Sequence, residues 1–282
     1  VPLEVTLEDL AFAGVPREAL RAIFEELNFA RLIEQLDKAP LPDRPAGAAD
    51  APSSALPAGT IQVRAGAFDY RCINTPEGLE QVARELASVR RLGVDTETTS
   101  AHPMWAELVG VSLSWRPRQG VYLPVRAPLG APTLPLELLR SRLGPALADP
   151  TVTKVGQNLK YDLIVLRRAG MPLAGEMFDT MVAAHVLDST RMTYKLDALA
   201  AEFLDHRCIP IEDLIGRGKN QISMAAVPLE TVTPYAAEDA DVALRLADVL
   251  AERLAAEGLD GLFADLEMPL MPVLAEMERV GI

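Results

Sequence analysis

The stretch Leu92-Gly93-Val94-Asp95-Thr96-Glu97-Thr98 decides how this chain is read. A second apolar run, Leu108-Val109-Gly110-Val111-Ser112-Leu113, follows it closely. Apolar and β-branched residues around alternating acids predict the end of a buried strand. Side chains at i and i+2 of a strand share a face, so Asp95 and Glu97 stand side by side there. Two carboxylates held that close repel. A shared proton, a cation from the protein or bound metal would offset the repulsion.

The 282 residues are 49% hydrophobic, enough for one large domain plus pieces or for two smaller ones. No apolar run approaches the roughly 18 residues of a membrane span. The start, Val1-Pro2-Leu3-Glu4, has no signal-peptide pattern and no initiator Met, which predicts a fragment. Cys72 and Cys208 are the only cysteines, too few for a disulfide framework or a zinc site, and a reducing cytoplasm is the default. The net charge of −13 argues against a general basic coat for nucleic acid. That charge is uneven. Residues 228–282 hold 12 acids and 3 bases, whereas residues 140–220 hold 10 acids and 11 bases. A local basic path is compatible with the second stretch.

Residues 3–38 read as helical, with Thr6-x-x-Asp9 as a capping signal and Ala19, Leu20, Ile23, Phe24 and Leu27 on a helical period. In residues 39–59, Pro, Ala, Gly and Ser fill 16 of the 21 positions, which reads as a linker and a domain boundary. Strands are expected near 68–73, 92–98, 107–115, 119–125 and 151–155. Short loops make the middle three antiparallel. Helices are expected at 76–89, 135–148, from Asn158 to a C′ residue at Gly170, and at 179–188, 195–204 and 229–256. Residues 205–227 read as irregular, and 260–282 as an amphipathic helix. Strands first and helices after predict an α/β fold, a mixed sheet with helices packed on it.

Three elements carry candidate chemistry. Asp95 and Glu97 occupy the strand end. Asp162 sits in the first turn of the helix that opens at Asn158, where the dipole alone would favour an acid. In Tyr235-Ala-Ala-Glu238-Asp239-Ala-Asp241, Tyr235 and Asp239 share a helix face. Asp241 lies about 200° around from Asp239 and should point away, while Glu238 fits either side. Taken alone, the Tyr235–Asp241 run is most often a solvated face. Together, four carboxylates from a strand and two helices would suit hard divalent cations, and Tyr235 could hold an attacking water.

The chain resembles the 3′–5′ proofreading exonuclease domain of family A bacterial DNA polymerases. Asp95-Thr96-Glu97, with Ala106-Glu-Leu-Val-Gly110 soon after, resembles that family's first exonuclease motif. Lys154-Val-Gly-Gln-Asn-Leu-Lys-Tyr-Asp162 resembles the second and Tyr235-Ala-Ala-Glu-Asp239-Ala-Asp241 the third. Gly218-Lys-Asn-Gln221 also fits, and the likeness spans about residues 62–256. It implies a ribonuclease H-like mixed sheet of about five strands. It also implies Asp95, Glu97, Asp162 and Asp239 as ligands of two divalent ions, Mg²⁺ or Mn²⁺, with Tyr235 orienting water. Asp95, Glu97 and Asp239 would hold the first ion, and Asp95 and Asp162 the second. Gln157, Asn158, Tyr161 and Lys219 are the implied contacts to nucleic acid. The implied substrate is a DNA 3′ end, single-stranded or frayed. The implied setting is a monomer in the bacterial cytoplasm, at the nucleoid, with a polymerase domain in cis. Residues 1–38 resemble the end of a 5′ nuclease domain, residues 39–60 the linker, 61–257 the exonuclease and 258–282 the start of a polymerase domain.

Some family members have lost these acids and keep the domain as a scaffold; all four are present here. The departures are Ala101 and Ile211, which stand where relatives carry larger wedging residues, and a phosphate-contacting arginine with only Arg191 and Lys195 as nearest candidates. His102, His185 and His206 read as bystanders, and Trp105 and Trp115 as packing residues rather than base-stacking ones. Lys160, Arg167, Arg168 and Arg217, like Lys219, read as solvated surface that would line a phosphate path at most. Two other readings compete with the DNA exonuclease: an RNA-trimming enzyme of the ribonuclease D type, and a non-catalytic scaffold that binds DNA weakly.

Overall fold

A computed structural model describes residues 68–282, together with Arg21 and Phe24. The chain divides into two compact units, Val1–Gly59 and Thr60–Ile282. The expected nuclease remnant at 1–38, apart from those two residues, and the linker at 39–60 lie outside the described residues.

The centre of the second unit is a six-stranded mixed sheet of β1 (Asp69–Cys72), β2 (Arg91–Thr98), β3 (Leu108–Arg116), β4 (Gln119–Pro124), β5 (Thr153–Gly156) and β6 (Met177–Asp179), in the order β1-β4-β3-β2-β5-β6. β2, β3 and β4 run antiparallel, as their short connections predict. β1 joins β4 in parallel, and β5 and β6 extend the β2 side in parallel. The sixth strand goes beyond the five expected. It has three residues, too few to display an alternating pattern.

Among the described residues of this unit the longer α-helices are α1 (Pro76–Leu86), α2 (Leu136–Leu147), α3 (Leu159–Arg168), α4 (Thr180–Leu187), α5 (Leu196–Leu204), α6 (Glu212–Ile215), α7 (Leu229–Glu257) and α8 (Met268–Val280), with a helical turn at Asp260–Leu262 and a π-helical turn at Phe263–Glu267 between the last two. α6 and two three-residue 3₁₀ turns are all the regular structure in 205–227, close to the irregular segment expected. Leu79, Val82, Leu139, Leu143, Leu159 and Leu166 from α1–α3 bury against Leu92 and Val94 of β2 on one face. On the other side, α4, α5 and α7 share a core of Ala183, Ala184, Leu199, Val242, Leu246 and Leu250. α7 also crosses the sheet at unusually close range. A Cβ on Gly93 would meet the Ala240 carbonyl at 2.5 Å, and one on Gly120 the Ala237 carbonyl at 2.7 Å. Glycine at these two strand positions lets the helix that carries Asp239 lie against β2.

The start of α3 differs from expectation. Asn158 has φ 58° and ψ 45°, left-handed, and its side chain caps nothing. The cap comes from Asp179 at the end of β6. Its carboxylate accepts from the amides of Asn158 (3.1 Å) and Leu159 (2.7 Å), and from Met181 (2.9 Å) and Val182 (3.3 Å) of α4. One buried anion thus serves two helix N-termini, where both dipoles favour it. Gly170 takes the expected C′ place with φ +77°.

α8 packs on α3. Met271 enters the core, and Lys160–Glu278 (2.9 Å) and Arg167–Glu276 (2.6 Å) pair across the two helices. Both cations are therefore engaged in packing contacts rather than free along a phosphate path. Among the described residues, no helix is long and apolar enough to cross a membrane.

Candidate active site

The acids converge at the C-terminal end of β2 from both faces of the sheet. Gly93 faces α7, so Asp95 and Glu97, two and four residues on, face α7 as well. The ligand oxygens of Asp95, Glu97 and Asp239 all lie within 4.8 Å of one another. Thr96 points the other way, and its hydroxyl donates to Asp162 Oδ1 at 2.6 Å. That bond holds the first turn of α3 against the strand end. Glu97 sits opposite Gly110 of β3, and the register then slips between Glu97 and Thr98. Such a bulge re-aims the chain where the strand leaves the sheet.

Burial and mutual repulsion set the electrostatics. Burial pushes Asp95 up to about 6. Glu97 is raised well above the ordinary carboxylate range by burial, then by the charges of Asp95 and Asp162. Asp162 is raised by burial and by Asp95, and Asp239 by burial, Asp95 and Glu97. Among the described residues none of the four forms an ion pair with a lysine, arginine or histidine. Of the three remedies for the repulsion, a protein cation is therefore not the one used. A set of unpaired, all-oxygen donors fits hard divalent ions. The Tyr235 hydroxyl lies close enough to Asp239 to feel its charge, and burial first and that carboxylate second raise its pKa.

The neighbouring acids behave differently. Asp241 points away from Asp239, as the helical spacing predicts. It accepts from Tyr70 Oη (2.8 Å) and the Arg118 amide (2.6 Å) and pairs with Arg245 (3.1 Å). Glu238 turns to the 205–227 segment, bound to His206 Nε2 (2.9 Å) and the Ile209 amide (2.7 Å). Cys208 completes a second His/Cys/Glu group with ligand-like spacing, but there His206 and Glu238 already satisfy each other.

A cleft of about 630 Å³ opens beside the acids, lined by Asp95, Asp162, Gln157, Asn158, Tyr161, Met192, Tyr194 and Lys195 among others. Of the four expected nucleic-acid contacts, Gln157, Asn158 and Tyr161 line it, and Lys219 does not. The Gln157 amide is spent on Tyr194 O (2.6 Å) and Thr180 (2.5 Å). Of the two phosphate-contact candidates, Arg191 is committed to Glu202 and Phe203, while Lys195 lines the cleft. Ala101 and Ile211 are exposed and are not among the lining residues. Trp115 packs against the core as expected. Trp105 does not; it is 76% exposed, because its loop turns Ala106 inward and the indole outward. The sequence reading missed Thr96, whose hydroxyl on the strand's other face was a usable signal. It also missed Tyr122, whose buried hydroxyl has no hydrogen-bond partner among the described residues and lies close enough to Glu97 to feel its charge.

A mixed sheet with helices on both sides and carboxylates gathered at the end of β2 defines a ribonuclease H-like nuclease fold. A 3′–5′ exonuclease family model matches residues 70–255, and the chain belongs to that family. Its similarity runs to DNA polymerase I. The proteins of that name from Pseudomonas aeruginosa and Rhizobium leguminosarum are each 37% identical to it, over 100% and 87% of this chain but 30% and 27% of their own length. The chain thus spans about a third or less of the relatives it matches. Solved structures share the fold. Brucella melitensis NrnC with bound Mg²⁺ has a TM-score of 0.59 at 22% identity, covering 76% of this chain and 94% of that one. Escherichia coli RNase D has a TM-score of 0.59 at 21% identity, covering 74% and 51%.

Proposed function

We propose that this chain is a proofreading module that hydrolyses phosphodiester bonds at single-stranded or frayed DNA 3′ ends, releasing 5′-nucleotides. The observation that carries the reading is the convergence of Asp95, Glu97 and Asp239 within 4.8 Å, with no cation among the described residues paired to them. Asp95, Glu97 and Asp239 would hold one Mg²⁺ or Mn²⁺, and Asp95 with Asp162 would hold a second. When bound, such ions would supply activation of the attacking water and charge stabilisation of the leaving alkoxide. Tyr235 keeps its proton, since burial and Asp239 raise its pKa, and so offers a neutral hydroxyl to orient the water. Glu97 accepts from the same water. Thr96 fixes the carboxylate of Asp162 through its 2.6 Å bond.

In the cleft, Asn158, Tyr161 and Lys195 receive the terminal nucleotide, with Lys195 in place of a phosphate-contacting arginine; Lys219 acts further along the strand. The unit at 61–257 works in cis with a polymerase domain that begins within 258–282 and follows a 5′ nuclease domain ending near residue 38. The protein acts as a monomer at the bacterial nucleoid. The test uses a labelled single-stranded DNA with Mg²⁺, beside an RNA of the same sequence. Stepwise shortening of the DNA, abolished in Asp239→Ala and by chelator, supports the reading. Equal degradation by wild type and Asp239→Ala overturns it. Preferential cutting of RNA would move the assignment to the ribonuclease D type, because only a site tolerant of the 2′-hydroxyl cuts RNA well.

A further inference from the structure

The loop that leaves β2 past the acids, residues 99–107, carries a large aromatic side chain with no packing role. Trp105 is 76% exposed, and the His102 ring lies 5.0 Å from its own at 53°. The loop under it is held at many points. The amides of Trp105 and Ala106 donate to His102 O at 3.0 and 2.9 Å. Arg168 Nη1 donates to Pro103 O (2.7 Å) and Ala106 O (2.8 Å). Thr99 and Glu107 close the base, with the Glu107 amide donating to Thr99 Oγ1 at 3.0 Å. Ser100 O accepts from Tyr161 Oη at 2.5 Å, and Tyr161 lines the cleft. The loop is therefore fastened to α3 at both ends, through Tyr161 near the helix start and Arg168 at its end.

Burying so large an apolar side chain would stabilise the fold, and here that gain is forgone. Of its loop neighbours, the exposed ones, Ala101, His102 and Glu107, are small or polar, while Pro103 and Met104 are half-buried, and His102 supplies its one ring contact among the described residues. A single rigid, exposed π-face suits a flat ligand better than a protein surface. Every nucleobase offers such a face, and stacking on exposed aromatic rings is a common means of gripping single strands.

We propose that Trp105, backed by His102, is a stacking platform for an unpaired nucleobase of the strand whose 3′ end occupies the acid cleft. The inference rests on the exonuclease reading above. It assigns the platform a binding role upstream of the reacting phosphate, and its effect should grow with strand length.

The experiment uses the full chain carrying Asp239→Ala, in Mg²⁺, with a fluorescein-labelled decathymidylate. Anisotropy reports binding, and intrinsic tryptophan emission reports stacking. The expected result is binding with quenched emission. Adding Trp105→Leu should remove the quenching and weaken binding about tenfold. In the otherwise wild-type chain, Trp105→Leu should raise KM for the decathymidylate by a similar factor, with little change in kcat and a smaller KM effect on dithymidylate. Binding without quenching, or equal affinity in Trp105→Leu, overturns the platform and leaves the exonuclease reading standing. No anisotropy change at all overturns both.

Discussion

Two groups of buried and half-buried acids lie close together in the fold, and they are built on opposite plans. Asp179, Asp241 and Glu238 are saturated. Asp179 accepts from four backbone amides, Asp241 from a tyrosine, an amide and Arg245, and Glu238 from a histidine and an amide. Asp95, Glu97, Asp162 and Asp239 face mainly one another. Among the described residues their side-chain donors are few, chiefly Thr96 for Asp162. A buried carboxylate costs several kcal/mol unless it is compensated. The first group is compensated by the fold and holds it together. The second is left uncompensated by the fold, which is what a cation-binding site requires. Asp239 and Asp241, one residue apart on either side of Ala240, mark the boundary between the two plans.

The contrast can be broken by substitution. Asp239→Ala should cut exonuclease turnover about a thousandfold or more, because several kcal/mol of charge stabilisation are lost, while the melting temperature holds or rises. Asp241→Asn should do the reverse. It leaves Arg245 without its charge partner in a buried pair, so denaturant unfolding should show a loss of about 3–5 kcal/mol. Turnover per folded molecule should persist. Were Asp241→Asn to remove turnover without loss of stability, the division between the groups would collapse.

Smaller effects sharpen it. Tyr235→Phe should lower kcat about a hundredfold, the cost of one positioned hydrogen-bonding group, with metal binding intact. Asp179→Ala leaves two helix starts uncapped, and guanidinium melts should show about 2–3 kcal/mol of destabilisation.

Acidity separates the groups as well. The four site acids have folded pKa values above their unfolded ones. The stability they contribute in metal-free protein is therefore full below about pH 4 and is lost as pH rises through the folded values, beginning with Asp95 at about 6. The melting temperature of chelated protein should fall between about pH 5 and about pH 8. Mg²⁺ should raise it more at the upper end, and a flat profile with no Mg²⁺ effect would contradict the account.

How much of this was legible in the sequence depended on whether a residue's task was local. The alternation at Asp95 and Glu97 and the helical offsets among Tyr235, Asp239 and Asp241 follow from backbone periods, and all are observed as read. Glycines 93 and 120 look like weak points of strands until α7 is laid on them. The double cap by Asp179 was hidden for the same reason. Asn158 had the right identity and place for a cap, but the acceptor came from a three-residue strand about 20 residues away in sequence. Arg168 read as solvated surface, whereas its guanidinium pins the Trp105 loop. Such side-chain partners are set by tertiary approach, which no local pattern records.

The claim that the uncompensated acids are a divalent-cation site is tested most directly by calorimetric titration of Mn²⁺ into the metal-free chain, beside Asp95→Asn, Asp239→Asn and Asp241→Asn. A cation site predicts saturable binding to the wild type and to folded Asp241→Asn, and its loss in Asp95→Asn and Asp239→Asn while both stay folded. No binding to the wild type, or equal binding to all four, would contradict it.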